Sequence, residues 1–265
     1  DATTAHHLRP IIAIGNIGID HKEYLGETIE KITQEKIAVI EKGATVISCT
    51  QNVQVENLIE KRAKMVGAKV IWREAISKKH YEIGLKGDFQ RENASVAIGV
   101  VAALKSIGFS IKKNAVYEGL RNVTWRGRLE IVNYLNRDIL VDCAHNFPAA
   151  QALSKERDTW ANQKNGVHWI LGIQKQKDIT PILKTLIREK DFLLLVPVPN
   201  QVSWNLKDIN DLKGIDCSKI LEFEKFEFAI NYLLDLKKWP SCHPVLTGSI
   251  FLVAEFIKFA NKQKH

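Results

Sequence analysis

The residues best suited to chemistry fall in short polar segments that follow apolar runs. The most pointed is Asp142-Cys143-Ala144-His145-Asn146. A carboxylate, an imidazole and an amide converge there at a helix entry. Such an entry favours anions, and a strand-end carboxylate can take a ribose hydroxyl; Asn146 can equally serve only as a helix cap. Gly15-Asn16-Ile17-Gly18-Ile19-Asp20-His21 places Asp and His side by side after a strand. That pair suits a metal or a metal–phosphate complex, or else is a loop with a capping Asp. In Gly87-Asp88-Phe89-Gln90-Arg91-Glu92-Asn93-Ala94, Gln90 and Asn93 lie one helical turn apart. They can hydrogen-bond a ligand's polar edge or act in capping. Arg128, in Trp125-Arg126-Gly127-Arg128-Leu129-Glu130, can hold a phosphate bidentately or be a surface cation. Lys36 sits in a helix rich in isoleucine and reads locally as a snorkelling surface residue. The loops Leu171–Asp178 and Thr247-Gly248-Ser249 are each weak signals alone.

The elements that position these residues alternate between strand and helix. Strands are expected at 11–15, 45–49, 69–72, 129–135, 138–142, 167–171, 192–196 and 245–247. Helices are expected at 28–42, 55–66, 89–107, 112–120, after Pro148, after Pro181, at 226–236 and at 250–261. Strands separated by helix-length segments imply parallel βαβ units, with ligands beyond the strands' carboxyl ends. The break at Asn122–Gly127 predicts two domains, 1–124 and 125–265.

Composition narrows the class. The 265 residues are 45% hydrophobic, as in a globular protein. No apolar run approaches the roughly 18 residues a membrane span needs. The net charge of +8 comes from dispersed lysines with no recurring aromatic–basic stripe, which argues against nucleic acid and is compatible with anionic small molecules. Cys49, Cys143, Cys217 and Cys242 form no CxxC pair, so reduced thiols in a cytoplasmic protein are expected. Asp1 to His7 shows no basic stretch leading into an apolar run, so no signal peptide is read there, and the lack of Met suggests an internal start. No GxGxxG follows a strand, which excludes a dinucleotide-dependent oxidoreductase.

Taken in order, these segments resemble the folylpolyglutamate synthase/dihydrofolate synthase family of the Mur ligase superfamily. The family motifs LDATN, IGLDH, LGxTLxxIxxEKAGI, HQxxNAxxA, WPGRxE, DGAHN and TGSLYLVxE are matched by seven segments. These are Asp1–Thr4, Ile17–His21, Leu25–Ile40, Phe89–Ala94, Trp125–Glu130, Asp142–Asn146 and Thr247–Glu255. Gln176-Lys177-Asp178 answers a further GxxxDKD-like loop. The chain departs from the motifs at Thr4 (for Asn), Phe89 (for His), Arg126 (for Pro) and Cys143 (for Gly).

The resemblance implies an α/β fold: the C-terminal half of a P-loop-type central ATPase domain, then a Rossmann-like domain with a mostly parallel sheet. It implies an ATP-dependent ligase that adds L-glutamate to a folate or dihydropteroate carboxylate through an acyl phosphate, in folate and one-carbon metabolism. Magnesium is the implied cofactor, with His21 a ligand and Lys36 the lysine carried as a carbamate. Asn93, Arg128 and Asp142 would contact ATP, Asp1 and Ala2 the pterin-bearing substrate, His145 the phosphates and Ser249 the glutamate end. His21 and Lys36 are expected on one wall of a cleft, with Arg128, Asp142 and His145 on the other. The family's GTNGKGS phosphate loop and following magnesium-binding Glu have no counterpart here. The chain by itself is therefore expected to be inactive, the alternative being a non-catalytic nucleotide- or partner-binding relative. A monomer with small-molecule partners and no membrane or nucleic-acid partner is expected.

Overall fold

The computed structural model describes residues 9–20, 22–210 and 218–262. The chain divides into two compact units, Asp1–Thr124 and Trp125–His265.

In the first unit three parallel strands, β1 (Ile11–Ile14), β2 (Thr45–Cys49) and β3 (Lys69–Arg73), pair in the order β1-β2-β3. A short helix α1 (Lys22–Leu25) precedes α2 (Ile29–Ile37) and α3 (Val53–Val66). The latter two cover one sheet face through Ile32, Ile37, Val55 and Ile59. The reading of one helix over 28–42 is too long. After Ala38 the chain turns, and Ile40 is buried from outside the helix with its N–H bonded to the Ile37 carbonyl. Thr28 caps α2, Asn52 caps α3, and Gly67 ends α3 in the left-handed conformation. The opposite face is covered by α4 (Phe89–Ser106), followed by α5 (Lys113–Asn122). A Cβ at Gly99 would lie 2.6 Å from Ile47 Cγ2, so glycine is what lets α4 approach β2.

The second unit holds six strands: β4 (Glu130–Tyr134), β5 (Arg137–Val141), β6 (His168–Leu171), β7 (Phe192–Leu195), β8 (Ile220–Glu222) and β9 (Val245–Thr247). Their order is β4-β5-β9-β6-β7-β8, parallel except for the β4–β5 hairpin. Leu135 and Asn136 form the two-residue turn of that hairpin, both with positive φ. The helices are α6 (Phe147–Arg157), α7 (Ile179–Leu186), α8 (Leu206–Asn210), α9 (Phe226–Leu234) and α10 (Ile250–Lys262).

Alternation along the strands sends side chains to two covered faces, as a parallel sheet requires. Ile139, Val141, Ile170, Leu194 and Leu246 pack against Phe226, Ile230, Leu252 and Phe256 of α9 and α10. Trp169 points the other way, with Arg157 of α6 over its ring at 5.7 Å. α6 and α7 are joined there by Arg157 Nη1 to the Leu186 carbonyl at 2.7 Å. At the amino ends of β6 and β7 this layer is pinned by the fully buried Asp191. Its carboxylate accepts from both Arg157 Nη atoms (2.7 and 2.6 Å), Val167 N (2.9 Å), Trp169 Nε1 (3.0 Å) and Arg188 N (2.9 Å). Five donors compensate the desolvation of one anion.

Candidate functional site

β5 runs into α6 on one face of the second sheet, while its neighbour β9 runs into α10 on the other. Adjacent strands whose connections leave to opposite faces open a crevice at their carboxyl ends. Asp142–Asn146 and Gly248-Ser249 border that crevice. Three close approaches fix it. Asp142 N donates to the Leu246 carbonyl (3.1 Å), Thr247 Oγ1 to the Ala144 carbonyl (3.3 Å), and Gly172 N to the Thr247 carbonyl (3.2 Å). Gly248 has φ +104, and a Cβ there would meet the Gly172 carbonyl oxygen at 2.5 Å. Only glycine fits.

Asp142 is buried, yet neither carboxylate oxygen lacks a donor. Oδ2 accepts the Leu129 N–H at 3.1 Å and Oδ1 the Ala144 N–H at 2.9 Å. Burial pushes its carboxyl above the usual carboxylate range. The two N–H donors and the nearby Arg128 and His145 oppose that shift. His145 Nδ1 lies 2.8 Å from the Cys143 carbonyl, which can only accept, so Nδ1 carries the hydrogen. In the neutral ring Nε2 then bears the lone pair. Asn146 caps α6 by accepting from Ala149 N (2.9 Å), so the capping function is realised. Burial raises the Cys143 thiol to about 11, which keeps it protonated and unsuited to nucleophilic attack.

Arg128 stands at the turn that enters β4. Gly127 (φ +71) and Leu129 (φ +45) both adopt left-handed backbone. For a buried leucine this costs about 1–2 kcal/mol and persists only where neighbours enforce it. Here Asp142 holds the Leu129 N–H, Cys143 N donates to the Gly127 carbonyl (3.0 Å), and Glu130 Oε2 accepts the Gly127 N–H (2.8 Å). Arg128 is half-buried, and its charge favours ionisation of Asp142. No hydrogen bond or ion pair joins its guanidinium to another described residue. A cation beside a buried carboxylate and a helix entry, held by a strained turn, is equipped to receive an anion.

In the first unit the carboxyl ends of β1 and β2 carry the comparable features. Gln51 latches the loop after β1: its Oε1 accepts the Ile17 N–H (2.9 Å) and its Nε2 donates to the Gly15 carbonyl (2.7 Å). That loop leads to Asp20 and His21. On the first turn of α4, Asn93 Nδ2 donates to Gln90 Oε1 at 2.9 Å, so the two amides do share a face. Asn93 is exposed and Gln90 buried. Lys36 is exposed on the outer side of α2.

Arg128, Asp142, His145 and Ser249 are thus brought to one sheet edge of the second unit. Ser249 is buried, and its Oγ accepts from Phe251 N (3.2 Å), a helix-capping bond. Asn93 lies at the corresponding end of the first unit's sheet. Asp1, Ala2 and His21 lie outside the described residues. Among the described residues no group of three His, Cys, Asp or Glu side chains could hold a metal. Gln51 and the roles of Thr247 and Glu130 as backbone latches escape sequence reading, because their partners become neighbours only in the fold. The one local hint is Gly127 three residues before Glu130, the spacing of a carboxylate that closes a turn. A surface hollow of about 640 Å³ is lined by Ile40, Lys42, Arg62, Met65 and Gly67. It sits before β2 and β3 begin, at the end of the sheet away from these groups.

The profile of the family described as "Dihydrofolate synthetase, C-terminal domain" matches residues 128–259, which take in all four residues at the crevice of the second unit. The probable dihydrofolate synthetase of Schizosaccharomyces pombe is 26% identical over 98% of this chain and 68% of its own length. The chain belongs to the dihydrofolate synthase/folylpolyglutamate synthase family. A folylpolyglutamate synthase of Candida albicans is 33% identical over 62% of this chain and 35% of the relative. The folylpolyglutamate synthase of Mycobacterium tuberculosis, complexed with ADP and AMPPCP, superposes with a TM-score of 0.84 at 21% identity. The superposition covers 98% of this chain and 65% of that one. At that identity the likeness establishes the family's fold. The chain spans about two thirds of the length of these full-coverage family members.

Proposed function

We propose that this chain supplies the nucleotide-binding and glutamate-accepting part of an ATP-dependent ligase that joins L-glutamate to a folate or dihydropteroate carboxylate. The observation that carries the reading is the constellation of Arg128, Asp142 and His145 at the β5–β9 crevice. It lies inside the segment that matches the synthetase family. Arg128 takes a phosphate, Asp142 orients a ribose hydroxyl, and His145 faces the phosphates with Nε2 able to accept or carry a proton. Asn93 contacts the nucleotide from α4, Ser249 the incoming glutamate, and Asp1 and Ala2 the acceptor.

The acceptor carboxylate attacks the γ-phosphorus of ATP, forming the acyl phosphate as the bond to the bridging oxygen breaks and ADP leaves. The glutamate amine then displaces phosphate, and the proton leaves the amine as the amide forms. Magnesium bound with ATP would neutralise phosphate charge. Such an ion takes most of its ligands from phosphate and water, so it requires few protein donors. His21 would be one, through a neutral imidazole nitrogen, and Lys36, as a carbamate, would supply an anionic contact.

The 265 residues contain no GTNGKGS-type loop. Ligation therefore needs such a loop supplied from outside this sequence, since backbone N–H groups plus a lysine are hard to replace as a phosphate cradle.

The test is glutamate incorporation with ATP, magnesium and either acceptor, run on the 265 residues alone and joined to an N-terminal phosphate-loop segment. Ligation by the longer polypeptide only is expected. Asp142→Ala or His21→Ala should remove at least about 3 kcal/mol of transition-state stabilisation, roughly 150-fold. Wild-type turnover in both variants sinks the residue assignments. Ligation by the 265 residues alone refutes the need for the loop. ADP binding with no ligation by either form establishes the non-catalytic reading.

A further inference from the structure

Glu130 uses both carboxylate oxygens on the turn that carries Arg128. Oε2 accepts the Gly127 N–H at 2.8 Å, and Oε1 lies 2.7 Å from Arg126 Nε. The motif this segment resembles has proline at the position of Arg126. A proline fixes its own φ and stiffens a turn with no partner. Arg126 cannot do that. In this chain an ion pair stands where the ring would be: Arg126 closes over Glu130, a glutamate the motif also carries, and Glu130 ties down the Gly127 N–H.

From these contacts we propose that the Arg126–Glu130 pair is a positioning clip for Arg128, replacing the rigidity of a proline and holding the guanidinium where an anionic ligand meets it. The turn needs such support. Gly127 and Leu129 are both left-handed, and Leu129 is a buried non-glycine residue. Asp142 and Cys143 hold the far side through the Leu129 N–H and the Gly127 carbonyl. Glu130 alone holds the near side. Arg128, placed between these anchors, makes no hydrogen bond or ion pair with another described residue and is aimed by the backbone. Glu130 and Arg126 are positioning residues in this scheme. The pair is largely exposed on the Arg126 side, so its contribution is modest and salt-sensitive.

The proposal rests on Arg128 being a nucleotide contact, and the test separates the two. ADP affinity of the whole chain is measured by calorimetry for wild type, Arg128→Ala, Arg126→Ala, Arg126→Pro, Glu130→Gln and Glu130→Ala. Fold is checked by circular dichroism. Arg128→Ala should abolish the signal. Glu130→Ala should weaken binding about tenfold, the equivalent of one well-placed hydrogen bond. Glu130→Gln, which keeps an acceptor for Gly127, should fall between Glu130→Ala and wild type. Arg126→Ala should weaken binding about threefold and Arg126→Pro should restore it. A pair that served only folding would shift the unfolding midpoint and leave the ADP affinity of the folded variants at wild type. Wild-type affinity in both Glu130→Ala and Arg126→Ala, with Arg128→Ala dead, overturns the clip. Wild-type affinity in Arg128→Ala, or no binding by wild type, overturns the nucleotide reading and the clip's purpose with it.

Discussion

Asp142 accepts the backbone N–H of Leu129, thirteen residues earlier, through one carboxylate oxygen, while the other accepts Ala144 N–H two residues later. One buried side chain thereby joins the turn that aims Arg128 to the loop that carries His145. An aspartate at the end of β5 is thus both a candidate ligand group and a strut.

Replacing Asp142 by alanine should therefore cost stability as well as binding. Two buried N–H groups lose their acceptor, at about 1–3 kcal/mol for each donor left unsatisfied. Urea denaturation of Asp142→Ala should show a drop of at least 2 kcal/mol. A midpoint equal to wild type would remove the strut role.

Asp191 should matter more for folding and not at all for nucleotide. Asp191→Asn keeps the shape but removes the anion that Arg157 and three further donors surround. The expected loss is about 3–5 kcal/mol, the range for breaking a buried pair by removing one partner. Denaturant unfolding checks it, and a change below 1 kcal/mol would contradict the buried ion pair.

His168, stacked on Phe192 at 4.9 Å with its Nδ1 buried and unbonded to described groups, should make stability pH-dependent. Burial lowers its pKa, and Asp191 only partly opposes this. A group depressed below its unfolded value of 6.5 leaves the unfolded chain with more bound protons in the window beneath 6.5. Stability from the neutral ring is thus complete above 6.5 and falls as pH drops through the folded pKa. His168→Phe, which keeps the stack, should flatten the stability profile between about pH 5 and 7 relative to wild type. Parallel profiles would show that His168 does not titrate there.

The close approach of Gly248 to Gly172 predicts a graded glycine series. Gly43→Ala has positive φ but open space around it, so it should cost only about 1 kcal/mol of backbone strain. Gly248→Ala adds a clash with the Gly172 carbonyl and should cost clearly more, displacing Ser249 from the crevice. Equal losses in thermal unfolding would mean the two loops do not touch as described.

Much of this was legible in the chain. The Asp142–Asn146 segment stands out because an apolar strand ends abruptly in small and polar residues. The parallel α/β class follows from the spacing of strands and helices. Three things were not legible, each for a physical reason. β8, with only Ile220 buried, carries too little apolar pattern to register as a strand. The insertion of β9 between β5 and β6 is a matter of chain path, on which local periodicity is silent, yet it creates the crevice. Gln51 and Glu130 act through backbone groups, so their importance is invisible until the loops they hold are in place.

The most direct test is photolabelling of the chain with 8-azido-ATP, followed by peptide mapping with and without competing ATP. Labelling should fall on the peptides carrying Arg128 and Asp142–Asn146, and ATP should suppress it. Label confined to other peptides, such as those of α3 beside the Arg62 hollow, or label that ATP does not displace, would contradict nucleotide binding by these residues.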